Sequence, residues 1–295
     1  MDFPRFDPPG EMIDIGTHKL HTLAMGEGEP VVLLDTGSGD NLLTWTGIQS
    51  EIASFTRVIA YDRPGLGWSE RGITPYSLEF ILETLHQLIN ALQLSAPLIL
   101  VGHSIAGINV RQFAYRFPDL VAGLVLIDGS HEGQDARQPE GDDPDAAILE
   151  NIRDLSTKTF EDVLMQFIGE PAQFFEMPEE QQRMFERYRP EYLKYLVEAK
   201  DCDAGLTSLG DDALQSLGDI PLTVLTAMTS DDSPEMEASE KAFHKIFQQC
   251  QTEISQLSTQ GKQIFVEDAT HYIHKQQPQH VVDAIREMVA LVQKQ

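Results

Sequence analysis

Cysteine is almost missing from this chain: Cys202 and Cys250 are the only two in 295 residues. Two cysteines cannot build a disulfide scaffold, and their scarcity fits a reducing, cytoplasmic setting. Long apolar runs are missing as well. No stretch of about 18 apolar residues occurs, which excludes a membrane-spanning helix. The start, Met1-Asp-Phe-Pro-Arg5, lacks a basic stretch followed by an apolar one, so no secretory signal is expected. Positive charge is scarce, 21 Lys and Arg against 47 Asp and Glu, and the formal net charge of -26 argues against nucleic acid or an anionic membrane surface as a partner. Phosphate-binding loops are also missing, since neither Gly-x-Gly-x-x-Gly nor a Gly-Lys-Ser/Thr ending is found. There is no internal repeat and no low-complexity segment.

What remains is enough for one large core: 41% of the residues are apolar, and the length leaves room for an inserted subdomain. The charge deficit is uneven. Residues 132–218 hold 21 acidic against 8 basic side chains, half of the whole excess. A solvated helical surface explains this, and so does a separate layer that repels anionic ligands.

Short apolar runs and turns alternate in the first part of the chain. Residues 11–15 and 19–25 read as a hairpin around Gly16, and Val31 to Leu34 as a buried strand before the loop Asp35-Thr-Gly-Ser-Gly-Asp40. Residues 42–55 have helical spacing, 57–61 strand character, and 76–94 an amphipathic helix with Leu78, Ile81, Leu82, Leu85, Ile89 and Leu92 on one face. Leu98 to Val101 is a fully buried strand, residues from Ile108 onward are helical, and 123–127 is the next strand. Such alternation implies a mostly parallel sheet with helices on both faces. From Glu132 to about Gly218 the periodicity is helical only, broken by prolines. Strand–helix alternation then resumes with strands at 222–227 and 263–266 and helices at about 234–257 and 278–292. One α/β domain, residues 1–131 and 219–295, is thus interrupted by a helical insertion, 132–218.

The chemistry centres on Gly102-His-Ser-Ile-Ala106, where the buried strand meets its helix. A serine hydroxyl becomes a nucleophile when a tight strand-to-helix turn lifts it clear of the backbone and a base stands beside it, and such turns need small neighbours. Ser104 is therefore the candidate nucleophile and His271, just past the last strand, the candidate base, because parallel strands end on one sheet edge and bring these loops together. His274 and His280 read as structural, and the His103 side chain should point the other way along the backbone from Ser104. A base needs an acid to hold its tautomer. Two carboxylates end strands on that edge, Asp128 and Asp231. Oxyanion donors are expected from the backbone N–H of Ile105, at the helix start, and of Ser38 in the glycine-rich loop, which otherwise reads as a plain tight turn.

Four ordered motifs make the chain resemble the α/β-hydrolase fold superfamily: Leu33-Leu-Asp-Thr-Gly-Ser-Gly39 leading to Trp45, Tyr61-Asp-Arg-Pro-Gly-Leu-Gly-Trp-Ser69, Val101-Gly-His-Ser-Ile-Ala-Gly107 with Arg111 and Tyr115-Arg-Phe-Pro118, and His271-Tyr-Ile-His274 with Pro278. The resemblance implies an eight-stranded, mostly parallel sheet, a Ser/His/acid triad and an all-helical cap inserted after the sixth strand. It departs from the usual pattern at three places. Thr36-Gly37 stands for His-Gly, as in an esterase-like branch. Ala106 stands for glycine. Asp231 falls one residue late for the acid after the seventh strand, and branches that place the acid after the sixth strand point to Asp128. The implied function is a serine hydrolase acting on a small uncharged ester, lactone or related acyl compound, without metal or organic cofactor, as a monomer or homodimer. Carbon–carbon bond hydrolysis, cofactor-free haloperoxidase-like chemistry and a non-catalytic ligand receptor are alternatives on the same residues. Aromatic residues of 160–195 are expected mainly as cap core, with a minority lining the pocket, and Arg183, Arg187 and Arg189 either meet a substrate carboxylate or pair with nearby acids.

Overall fold

The strand that carries the serine turn, Leu98–His103, lies inside an eight-stranded sheet and is buried along its whole length. The computed structural model describes residues 1–2, 5–72, 76–95, 97–137, 144–210, 213–228 and 238–295. In chain order the strands are β1 (Glu11–Asp14), β2 (Lys19–Met25), β3 (Val31–Asp35), β4 (Val58–Tyr61), β5 (Leu98–His103), β6 (Val121–Ile127), β7 (Leu222–Met228) and β8 (Gly261–Glu267). They lie in the order β1-β2-β4-β3-β5-β6-β7-β8, with β2 antiparallel to both neighbours and β3 to β8 parallel. The C-terminal ends of β3, β5, β6, β7 and β8 therefore share one edge.

Alternation within the buried strands divides the core in two. Val32 and Leu34, Ile99 and Val101, and Val125 and Ile127 face one side, packed by α1 (Thr46–Ile52) and, at the end of the chain, Pro278–Val292. Val31 and Leu33, Leu98 and Leu100, and Leu124 and Leu126 face the other, packed by α2 (Leu78–Ala91) and α3 (Ala106–Arg116). A strand covered on both faces needs apolar residues at every position, which is why these stretches read as unbroken runs. Each fully buried Leu, Ile or Val contributes about 1.5–3 kcal/mol relative to exposure. The start of α2 is capped by the Ser77 hydroxyl, which accepts from Phe80 N–H at 3.2 Å.

Between β6 and β7 the described regular elements are helices, α4 (Gln134–Arg137), α5 (Pro144–Ser156), α6 (Phe160–Ile168), α7 (Glu179–Met184) and α8 (Pro190–Thr207), with 3-10 turns at Pro171–Glu176 and Phe185–Tyr188. Thr159 and Asp162 form a reciprocal capping box at the start of α6. Leu155, Val163, Leu193, Leu196 and Ala199 pack together with Leu66 from the loop after β4, so these helices pack on the chain after β4 as well as on one another. Phe160, Leu164 and Phe174 form a second cluster, while Phe167 and Phe175 are exposed. The chain closes with α9 (Ala238–Ser255), the short α10 (Ile273–Gln276) and α11 (Pro278–Val292). Residues 42–55, expected as one helix, are split: Leu42–Trp45 is a 3-10 turn capped by Asn41, and α1 follows. No described helix is long and apolar enough to cross a membrane.

Candidate active site

Ser104 sits between β5 and α3 with φ at +55°, in the left-handed region that L-residues seldom adopt. Close packing imposes this turn. A Cβ on Gly102 would stand 2.5 Å from the Ala106 carbonyl oxygen, and one on Gly107 would stand 2.8 Å from Gly129 Cα. Those two glycines let the helix fold back onto the strand and onto the loop after β6. Ala106 is fully buried in the place where the resemblance anticipates glycine, and its methyl is accommodated. The turn is further held by Ser104 N–H to Ile127 O at 3.2 Å and by Ser130 N–H to Ser104 O at 2.8 Å. Ile105, the next residue, is the N-cap of α3, and among the described residues no backbone carbonyl accepts its N–H.

His271 lies in the loop between β8 and α10. Its Nδ1 is 2.7 Å from Asp128 Oδ2, with the imidazole 40% exposed and the carboxylate 5% exposed. Asp128 itself has φ at +47°, directly after β6. Its other oxygen, Oδ1, accepts Ala227 N–H at 2.9 Å, and its own N–H donates to Leu225 O at 2.8 Å. The carboxylate is thus clamped across β6 and β7 and presents one oxygen to His271. Asp231, the other candidate acid, lies outside the described residues.

His103 has a role that its place beside the serine does not announce. Its Nε2–H donates to the His271 carbonyl oxygen at 2.9 Å, and the two rings stand 4.7 Å apart. Burial, reinforced by the neighbouring His271, pushes the His103 imidazole well below its usual range, so it stays neutral and donates from Nε2. His274 is buried, 3.0 Å from Thr44 Oγ1 with its ring 4.6 Å from that of Trp45 and tilted to it, and burial lowers it to about 3. It is therefore a packed, neutral histidine. His280 is exposed on α11.

The glycine-rich loop after β3 is braced by a buried ion pair that periodicity alone could not reveal. Arg63 Nη1 meets Asp35 Oδ1 at 2.8 Å and also donates to the Thr36 carbonyl, while Nη2 donates to the Gly37 carbonyl at 2.9 Å. Both side chains are fully or almost fully buried. Asp62, beside it, accepts Leu42 N–H at 2.6 Å, Trp68 N–H at 3.0 Å and His21 at 2.7 Å. Replacing Arg63 by Met is expected to cost about 3–5 kcal/mol, because Asp35 would be left as a buried unpaired charge. Urea unfolding of the variant checks this, and an unchanged midpoint would contradict it. On the far side of the site, Arg111 pairs with Glu132 at 2.6 Å and donates to Ser130 O at 3.1 Å, holding the chain that follows Asp128.

A cavity of about 880 Å³ opens beside this loop. Gly39, Asp40 and Asn41 form part of its wall, together with Tyr192 and the charged Arg187 and Lys275; neither Ser104 nor His271 lines it. Of the three arginines considered from sequence, Arg183 pairs with Glu179 at 2.5 Å, Arg187 stacks on the Tyr188 ring and Arg189 lies over the Phe160 ring. No group of three or more metal-ligating side chains is found among the described residues.

A family model described as the alpha/beta hydrolase fold matches residues 29–189, over half of the chain, and the protein belongs to that family. A probable transporter from Hormonema carpetanum is 33% identical over 139 residues, covering 43% of this chain and 20% of that one. An uncharacterized protein from Mycobacterium tuberculosis is 39% identical over 98 residues, covering 33% of this chain and 28% of its own. The chain therefore spans less than a third of the length of these relatives. Among solved structures, a thermophilic esterase from Thermogutta terrifontis, malate bound, is 25% identical with a TM-score of 0.60, covering 93% of this chain and 94% of that one.

Proposed function

We propose that the chain is a serine hydrolase that cleaves a small uncharged ester, lactone or related acyl compound through an acyl-enzyme on Ser104. One observation carries the proposal: the 2.7 Å contact between His271 Nδ1 and Asp128 Oδ2. A carboxylate on Nδ1 requires the proton there, so Nε2 carries the free lone pair a general base needs. Ser104 Oγ attacks the substrate carbonyl and gives its proton to His271 Nε2. The carbonyl oxygen, now an anion, is received by the backbone N–H groups of Ile105 and Ser38, each worth about 100- to 1,000-fold in turnover. His271 returns the proton to the leaving alkoxide, and the acyl-enzyme forms. Water then attacks the acyl carbon, again giving a proton to His271, and Ser104 leaves with its proton restored. In this reading the helices of residues 132–218 act as a cap that shapes the substrate site, and the sheet domain of 1–131 and 219–295 carries the chemistry.

The preference for an uncharged substrate rests on the net charge of -26, half of it in the cap. Such a field slows the approach of anions at low ionic strength. Short-chain neutral nitrophenyl esters should therefore be hydrolysed with a higher kcat/KM than the matching hemisuccinate, and added salt should narrow the gap. A hemisuccinate preference would instead assign selection to Arg187 and Lys275. No turnover of any acyl ester would overturn the functional proposal itself.

A further inference from the structure

The hydrolytic scheme leaves one buried carboxyl unused. Asp203, near the C-terminal end of α8, is 5% exposed, and neither of its oxygens completes a hydrogen bond. Unpartnered buried carboxyls are rare, because desolvation without compensation is costly. The surroundings of Asp203 are specific. Ser38 presents its hydroxyl to it from the loop after β3, and Arg63, Asp35 and Tyr76 face it from the strand ends and the loop before α2. On its own helix stand the half-buried Lys200 and Cys202. One turn further along α8, Leu206 packs against Ile105 and Ile108, directly beneath the serine turn.

We propose that Asp203 is a positioning residue for the hydrolysis, holding Ser38 from the cap side and so fixing the loop whose Ser38 N–H receives the oxyanion. The proposal rests on the reading of that loop as half of the oxyanion hole. Charge arithmetic separates the two forms of Asp203. Arg63 is already neutralised by Asp35 at 2.8 Å, so a second buried carboxylate would bring an extra negative charge next to the place where the oxyanion develops. Burial holds the Asp203 carboxyl above the usual carboxylate range, with Arg63, Ser38 and Lys200 opposing. In its uncharged form the carboxyl can donate to the Ser38 hydroxyl and adds no repulsion, whereas the ionised form can only accept from that hydroxyl and does add it. The Ser38–Asp203 bond stands open here, and such contacts commonly tighten only when substrate is bound. The carboxyl also links the cap helix to the catalytic loop, so that α8 in its seated position completes the loop.

The test compares Asp203→Asn, Asp203→Ala and Ser38→Ala with the wild type on a neutral nitrophenyl ester across pH. The sign follows from the raised acid: Asp203 is neutral and competent below its titration and ionised above it. Wild-type kcat should fall as pH rises through the Asp203 titration and the charge appears. Asp203→Asn, which keeps an uncharged donor, should match the wild-type kcat found below that titration and lack the fall. Asp203→Ala should lose up to about 100-fold in kcat with little change in KM, the scale of a misplaced reacting group. Ser38→Ala keeps its backbone N–H, and the Asp203→Ala/Ser38→Ala double variant should be no slower than the worse single one. Wild-type kcat in Asp203→Ala, additive losses in the double variant, or identical pH profiles for wild type and Asp203→Asn would each overturn the proposal. If Asp203→Ala fails to fold, the isosteric Asn variant and Ser38→Ala still decide it. A Ser104→Ala control separates the two levels. An inactive control with failing Asp203 arms sinks this inference alone, whereas a fully active control sinks it together with the hydrolase reading.

Discussion

Ser104→Ala is expected to lower ester hydrolysis on the order of 10⁶-fold, to the residual rate that binding and oxyanion stabilisation alone sustain. Loss of the hydroxyl removes the covalent path, and no neighbouring side chain replaces it. His103, the adjacent residue, is spent on the His271 carbonyl at 2.9 Å and is kept neutral by burial. The fold should survive. The turn is held by backbone bonds from Ser104 N–H to Ile127 and from Ser130 N–H to Ser104 O, and by the close approach of Gly107 to Gly129. None of these uses the hydroxyl. Steady-state kinetics with a thermal unfolding control checks both halves of the expectation. A variant that unfolds at the wild-type temperature and still turns over at the wild-type rate would remove Ser104 from the mechanism.

Asp128→Asn should cost about 10⁴-fold in kcat while leaving KM near its wild-type value. The reason lies in the second partner of the carboxylate. Oδ1 accepts Ala227 N–H at 2.9 Å, and the amide oxygen of Asn will keep that position because the backbone N–H needs an acceptor. The amide NH₂ is then turned toward His271 Nδ1, where it can only donate. Nδ1 must accept, its proton moves to Nε2, and the nitrogen that should receive the serine proton is already occupied. Geometry is preserved and the tautomer is wrong. Asp231→Asn should keep wild-type activity. The reverse pattern, with Asp128→Asn active and Asp231→Asn dead, would transfer the acid to Asp231.

Why these two aspartates could not be separated by sequence is instructive. Both follow apolar strands that end on the same sheet edge, and strand periodicity says nothing about which carboxylate meets an imidazole that arrives from a loop 143 residues later. The meeting depends on the left-handed backbone at Asp128 and on the Ala227 amide, neither of which has a local pattern. Buried strands are another matter. Val31–Asp35, Leu98–His103 and the closing helix Pro278–Val292 were legible because two-sided burial demands apolar residues at each strand position and one-sided burial demands a 3.6-residue period.

The serine turn was legible for the same reason, since tight packing tolerates only small residues around it. Arg63 and Asp35 were not legible as partners: they stand 28 residues apart, and only the folding of β3 beside β4 brings them together. Asp203 was hidden more thoroughly. It is one of 21 acidic residues in a segment whose composition reads as a solvated surface, and only the seating of α8 against Ile105 and Ile108 takes it out of water. His103 likewise read as a bystander, because its bond to the His271 carbonyl is made across 168 residues.

The central claim is that Ser104 is an activated nucleophile, and its reactivity toward a fluorophosphonate tests it most directly. The folded protein should gain one covalent adduct, mapped by peptide mass spectrometry to Ser104, and His271→Ala should nearly abolish it. Folded protein that stays unmodified, or that carries the adduct on another residue, would contradict the account.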